Sequence, residues 1–215
     1  MRVVVDGAAS SEANVLSGVP QGTVLSPLLF LCHINDLPDS VKSQVRLFAD
    51  DCLLYRPIKT LKDKIALQED LRNLEQWAKK WGMVFNAKKC YILSVNQKHS
   101  HFYELDNTIL QQVKNSRYLG LTFSDDLKWN AHVNNTVKKA NSTLGLIRRN
   151  FYHCPASTRK TAYIALVRST LEYGAPIWDP SSKTEVDKLE QVQRRAARLL
   201  KTTTSLEPQV ASQIC

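Results

Sequence analysis

Val45-Arg46-Leu47-Phe48-Ala49-Asp50-Asp51-Cys52-Leu53-Leu54-Tyr55 places two adjacent carboxylates between two apolar runs. Val45, Leu47 and Phe48 lead in and Cys52 to Tyr55 lead out, so the pattern predicts a β-hairpin with the acids at its crest. Neighbouring carboxylates repel each other unless a cation neutralises them, and Asp50-Asp51 therefore asks for a metal. The plainer reading is a polar hairpin turn, because Asp tolerates turn geometry.

Working outward, Phe123-Ser124-Asp125-Asp126 repeats the composition after another apolar strand, but Leu127, Trp129, Ala131, Val133 and Val137 follow with helical spacing. That pair is read as structural, with Ser124 or Asp125 as an N-cap and Asp126 as a first-turn acid. Upstream of the crest, Gly18 and Gly22 let backbone approach a ligand, Pro20 stiffens the segment and Gln21 offers both a donor and an acceptor. The same loop also reads as a junction into an apolar helix from about Ser26 to Leu37, with Ser26 as N-cap and Pro27 at the first helical position.

These blocks together resemble a known family. Gly18-Val19-Pro20-Gln21-Gly22-Thr23-Val24-Leu25-Ser26-Pro27-Leu28-Leu29-Phe30, Ile34-Asn35-Asp36-Leu37-Pro38 and Phe48-Ala49-Asp50-Asp51 look like the reverse transcriptase of jockey-like non-LTR retrotransposons. The resemblance implies that Gly18, Pro20, Gln21, Gly22, Phe48 and Ala49 lie against the incoming nucleotide and template. It also implies that Asp50 and Asp51 are catalytic Mg²⁺ or Mn²⁺ ligands of a polymerase palm. Phe48 stands where the family more often has Tyr, which keeps the ring and loses the hydroxyl.

The likeness runs on to about Lys201. Leu71, Leu74, Trp77 and Trp81, closed by Gly82, predict an amphipathic helix. In Asn86-Ala87-Lys88-Lys89 the resemblance makes Lys89 a candidate proton donor to departing pyrophosphate; a solvated loop lysine is the alternative. Tyr118-Leu119-Gly120-Leu121 resembles the primer-grip strand, with Leu119 and Gly120 next to the primer backbone; a strand glycine marking a bulge is the alternative. Segments around Arg148, Tyr173, Trp178 and Arg194 resemble the helical region beyond the palm.

The net charge of +9 is unevenly placed. Residues 128–201 hold 14 Lys or Arg against 5 Asp or Glu, whereas residues 1–127 are nearly balanced. A basic helical third beside an acidic site suits a line of phosphates, and Lys138, Lys139, Arg148, Arg149, Arg194 and Arg195 are the candidate backbone contacts. Solvated helix faces would show the same charges without a ligand.

Length and 43% hydrophobic content permit a sizeable core. The expectation is an α+β chain. Residues 1–127 form a partial palm, an antiparallel sheet with helices, including strands near Val84 to Phe85, Tyr91 to Val95, Phe102 to Leu105 and Tyr118 to Phe123. Residues 128–201 form an all-α thumb of three helices, roughly Trp129 to Asn150, Ser157 to Tyr173 and Lys183 to Lys201. Residues 202–215 form a tail of unknown role.

The five cysteines show no paired spacing, His99, His101 and His153 fit no common zinc pattern, and nothing resembles a secretory leader or membrane span. An intracellular, reduced protein is expected, in the nucleus or in a cytoplasmic ribonucleoprotein. The resemblance implies an RNA template, a DNA primer and deoxynucleoside triphosphates as partners. Two-metal nucleotidyl transfer needs carboxylates from two places, and the resemblance implies that the second is an Asp on an earlier palm strand, which would lie before Met1 together with the fingers. Asp6-Gly7 reads as a hairpin turn instead. The chain alone is therefore expected not to polymerise, and a partner supplying the missing strands is expected. A non-catalytic nucleic-acid-binding remnant and a decayed element without a selected role remain as alternatives.

Overall fold

In the computed structural model, residues 2–14, 18–96 and 101–201 are described, so His99 and the 202–215 tail lie outside the described residues. The architecture is α+β, mixing long helices with short antiparallel strand pairs, and it divides into two compact units.

The first unit comprises Met1–Tyr91 and Ser100–Gln111. Strands β1 (Val4–Val5) and β2 (Ala8–Ala9) pair across Asp6-Gly7. Helix α1 (Leu25–Ile34) leads through a short 3₁₀ turn, Leu37–Ser40, into β3 (Gln44–Phe48) and β4 (Asp51–Tyr55). Their register pairs Val45 with Leu54, Leu47 with Cys52 and Phe48 with Asp51. Side chains alternate across the ladder, so Val45, Leu47, Cys52 and Leu54 face the core.

Helix α2 (Leu61–Lys80) starts at a capping box in which Thr60 N donates to Asp63 Oδ2 at 2.9 Å. It ends where Met83 N returns to the Ala78 carbonyl at 2.8 Å, past Gly82. Its inner face contributes Leu74, Trp77 and Ala78, which pack on Ile34, Leu37 and Val45. After β5 (Tyr91–Leu93), strands β6 (Glu104–Leu105) and β7 (Thr108–Ile109) form a hairpin pinned to α2. There Gln68 bonds both the amide and the carbonyl of Glu104 at 2.9 Å.

The second unit comprises Ile92–His99 and Gln112–Cys215. Strand β8 (Gln111–Val113) pairs with β5, and β9 (Asn115–Tyr118) pairs with β10 (Leu121–Ser124). Helices α3 (Asn130–Asn150), α4 (Ala156–Ala162), α5 (Ser169–Glu172), α6 (Ala175–Trp178) and α7 (Lys183–Lys201) follow, with a π-helical stretch, Tyr163–Arg168, joining α4 to α5. Ala140, Leu144, Ile147, Val167, Leu171, Val192 and Ala196 form the helical core.

Several local expectations are corrected. Helix α1 begins at Leu25 and ends at Ile34, not Leu37; Ser26 is inside it, with its amide taken by Thr23 Oγ1 at 3.2 Å. No strand covers Val84–Phe85. Tyr118 to Phe123 is two strands, because Leu119 and Gly120 both take left-handed φ values, 46° and 82°, and reverse the chain. The Ser124-Asp125-Asp126 segment caps no helix: Leu127 N bonds the Ser124 carbonyl, Asp126 Oδ1 accepts from Lys128 N at 2.9 Å, and α3 starts only at Asn130. Its role is still structural, as a turn.

His132 is buried beside Trp129 and Trp178; Nδ1 accepts from Thr122 N at 3.2 Å and Nε2 lies 3.4 Å from Thr136 Oγ1. Burial, and secondarily Arg117, holds its pKa below the usual histidine value. An unfolded histidine titrates near 6.5. As pH falls below that value, the unfolded chain therefore binds a proton that folded His132 resists. The stability of this unit is expected to decline until pH passes the folded pKa. Melting curves recorded from neutral pH into the acid range test this, and His132→Gln should flatten the decline.

Candidate active site

The acidic pair sits at the turn predicted for it. Ala49 and Asp50 form the two-residue connection between β3 and β4, with Ala49 at φ 50°, and Asp51 opens β4 directly opposite Phe48. Strand alternation puts Asp51 on the outward face with Phe48, Leu53 and Tyr55, and Arg46 lies 5.8 Å over the Tyr55 ring. Asp50 and Asp51 are exposed, and among the described residues neither carboxylate is in an ion pair.

Mg²⁺ keeps several waters and binds through one or two carboxylates together with substrate phosphates. Two solvent-facing acids on successive residues fit that demand. Among the described residues there is no group of three or more His, Cys, Asp or Glu that could hold a metal ion.

The glycine loop belongs to the same unit. Gly18 and Gly22 take φ values of 87° and 80°, which a side chain would strain, and a Cβ at either would meet nothing within 4 Å. Ser26, buried at the head of α1, bonds both Thr23 Oγ1 and the Pro20 carbonyl and so ties the loop to the helix. Pro20 and Gln21 are exposed. Two open pockets of this unit are lined by other residues. One, of about 510 Å³, lies at the C-terminal end of α1 among Leu29, Cys32, His33, Asn35, Asp36 and Trp81.

Lys89 ends a 3₁₀ turn, Ala87–Lys89, in which its amide bonds the Asn86 carbonyl at 2.9 Å. The Asn-to-Lys spacing is thus that of a turn, and Lys89 is exposed. Burial, and then the Cys90 thiol, push the Cys52 thiol up to about 11. A protonated, half-buried thiol is a poor nucleophile. Iodoacetamide near pH 8 is expected to alkylate exposed Cys32 first and Cys52 last, as read by mass spectrometry of the peptides.

Two residues missed by the sequence reading hold this unit together. Asp70, 1% exposed, accepts the amides of Lys42 and Ser43, each at 2.9 Å, just before β3. Asp36, within the Ile34-to-Pro38 block, accepts the Trp77 indole N–H at 3.0 Å. No local pattern marks either, since each partner lies 27 to 41 residues away.

In the second unit, Tyr173 Oη donates to the Leu119 carbonyl at 3.1 Å. A Cβ on Gly120 would come within 2.9 Å of the Tyr173 ring. The side chain that approaches Gly120 is thus the chain's own tyrosine. Lys138, Lys139, Arg148, Arg149, Arg194 and Arg195 are all exposed on α3 and α7.

A family model described as reverse transcriptase (RNA-dependent DNA polymerase) matches residues 2–123. The probable RNA-directed DNA polymerase from transposon BS of Drosophila melanogaster is 29% identical over 200 residues, which cover 86% of this chain and 22% of that protein. The probable RNA-directed DNA polymerase from transposon X-element of the same species is 26% identical, with 90% and 22% covered. The RNA-directed DNA polymerase from mobile element jockey, also of that species, is 26% identical, with 91% and 23% covered. The chain thus spans about a fifth of the length of these curated relatives. No solved structure matches it.

Proposed function

Because the chain belongs to the reverse transcriptase (RNA-dependent DNA polymerase) family, alongside polymerases of jockey and related non-LTR elements, we propose that it supplies part of the palm and the thumb of an RNA-directed DNA polymerase. The observation that carries this reading is the solvent-facing Asp50-Asp51 pair at a hairpin turn, in one compact unit with the Gly18-to-Gly22 loop and Lys89.

Asp50 and Asp51 hold the divalent ion. When bound, Mg²⁺ neutralises the triphosphate and lowers the pKa of the primer 3′-hydroxyl. The exposed loop at Pro20 and Gln21 receives the incoming nucleotide and template, with Phe48 and Ala49 bordering it. Lys89 Nζ gives a proton to the departing pyrophosphate. The Leu119-Gly120 turn faces the primer backbone, with Tyr173 closing one side, and the exposed cations of α3 and α7 follow the phosphates of the template and primer.

Two-metal transfer takes carboxylates from two places; Asp50 and Asp51 are one, and a segment outside the described residues supplies the other. The β3–β4 hairpin has both outer edges unpaired among the described residues, and Phe48, Leu53 and Tyr55 lie exposed on its outward face. Open edges beside apolar surface favour addition of further strands. These features support a partner or adjoining segment that completes the sheet. Among the described residues, no helix is long and apolar enough to cross a membrane.

Primer extension by the purified chain on a primed RNA template, with Mg²⁺ or Mn²⁺, tests the divided site. No incorporation is expected. Incorporation that disappears in Asp50→Ala would overturn the proposal that another carboxylate must be supplied.

A further inference from the structure

Helix α3 has no Asp or Glu in its 21 residues and contains five Asn, a residue of low helix propensity. Two of them sit one heptad apart and accept from cations of α7. Lys188 Nζ donates to Asn134 Oδ1 at 2.8 Å, and Arg195 Nη1 donates to Asn141 Oδ1 at 3.0 Å. Both pairs span 54 residues, so α3 and α7 run parallel in one register, over a shared core of Ala140, Leu144, Val192 and Ala196.

A cation bound across two helices gains more from a carboxylate, which adds charge attraction to the hydrogen bond. Both acceptors here are amides. Each fixes the direction of its cation while leaving the positive charge uncancelled. Lys138 and Arg148 follow Asn134 and Asn141 at helical spacing along the same flank of α3. Among the described residues, none of Lys138, Arg148, Lys188 and Arg195 is in an ion pair. Seven helical residues rise about 10.5 Å, so Lys188 and Arg195 present charge at a fixed interval.

We propose that Asn134 and Asn141 are positioning residues that hold Lys188 and Arg195 ordered and un-neutralised for two phosphates of a nucleic-acid backbone. The inference rests on the reading of α3 and α7 as a nucleic-acid interface, and it adds Lys188 and the two asparagines to that interface. Ordering a long side chain on binding weakens affinity by a few-fold. An amide that orders it beforehand removes this loss.

The test measures affinity of the full chain for a fluorescent DNA duplex of arbitrary sequence across a KCl series, with a melting curve for each variant. The slope of log affinity against log salt counts phosphates neutralised, at about 0.9 each. Lys188→Ala/Arg195→Ala should make the slope shallower by about 2. Asn134→Ala/Asn141→Ala should keep the wild-type slope and weaken binding about tenfold, roughly threefold per side chain. Asn134→Asp/Asn141→Asp keeps the acceptors but cancels the charge, so it should melt no lower than wild type and lose slope as the double Lys/Arg variant does.

Wild-type affinity in Asn134→Ala/Asn141→Ala, or a slope that falls in that variant, would overturn the positioning role and leave the interface standing. Full wild-type slope in Asn134→Asp/Asn141→Asp would overturn it even if the alanine variant does not fold. Absence of salt-dependent binding by the wild-type chain would overturn the interface reading itself, and the inference with it.

Discussion

Asp51→Ala is expected to lower nucleotide incorporation by at least about a thousandfold, measured in a full-length jockey-like polymerase whose homologous segment is replaced by this chain. The figure follows from losing the proposed metal ligand, which would withdraw several kcal/mol of transition-state charge stabilisation at 1.36 kcal/mol per tenfold. Asp50→Ala should act similarly, because the two acids share the turn and the first residue of β4. Asp125→Ala and Asp126→Ala supply the comparison: the same dipeptide occurs there, but Asp126 is engaged with the Lys128 amide and the pair lies in the second unit. Those variants should keep incorporation within a few-fold of the parent chimera. Equal activity in the Asp51→Ala and parent chimeras, by single-nucleotide incorporation, would remove the hairpin from the chemistry.

Asp70→Ala is expected to destabilise the first unit by about 3–5 kcal/mol, through a different cause. Its carboxylate satisfies two backbone amides at 2.9 Å in a site that is 1% exposed, and Arg56 Nη1 stands 3.9 Å away. Truncation leaves the Ser43 amide buried without an acceptor, at about 1–3 kcal/mol, loses the part-buried bond to the Lys42 amide and also opens a void. Because Lys42 and Ser43 immediately precede β3, the loosened segment is the one that carries the acidic hairpin. Urea denaturation gives the stability change, and hydrogen exchange should show faster opening in β3 and β4 than in α3. A change under about 1 kcal/mol would mean that water or rearrangement satisfies the amides instead.

Both expectations join a residue visible in the sequence to one that is not. The acid pair could be read because a hairpin is a local object: apolar alternation and a two-residue turn lie within eleven consecutive positions. The end of α2 near Gly82 and the two long basic helices α3 and α7 were legible for the same reason, whereas the helix expected over Ser157 to Tyr173 is broken into α4, a π-helical stretch and α5. The failures were local contests between near-equal alternatives. Ser26 could cap a helix from its place in the chain, yet Thr23 is near enough to do so and Ser26 turns to Pro20. Leu119-Gly120 could continue a strand, yet left-handed φ at both residues folds it into a hairpin.

By itself the sequence determined the acidic hairpin, the long helices α2, α3 and α7, the uneven charge and the family, since periodicity, composition and contiguous motifs are carried by neighbouring residues. Only the tertiary structure decided what Asp36, Asp70, Tyr173, Asn134 and Asn141 do, because their partners lie 27 to 54 residues away. A hydrogen bond over that separation follows from how elements pack, and no pattern within one element encodes it.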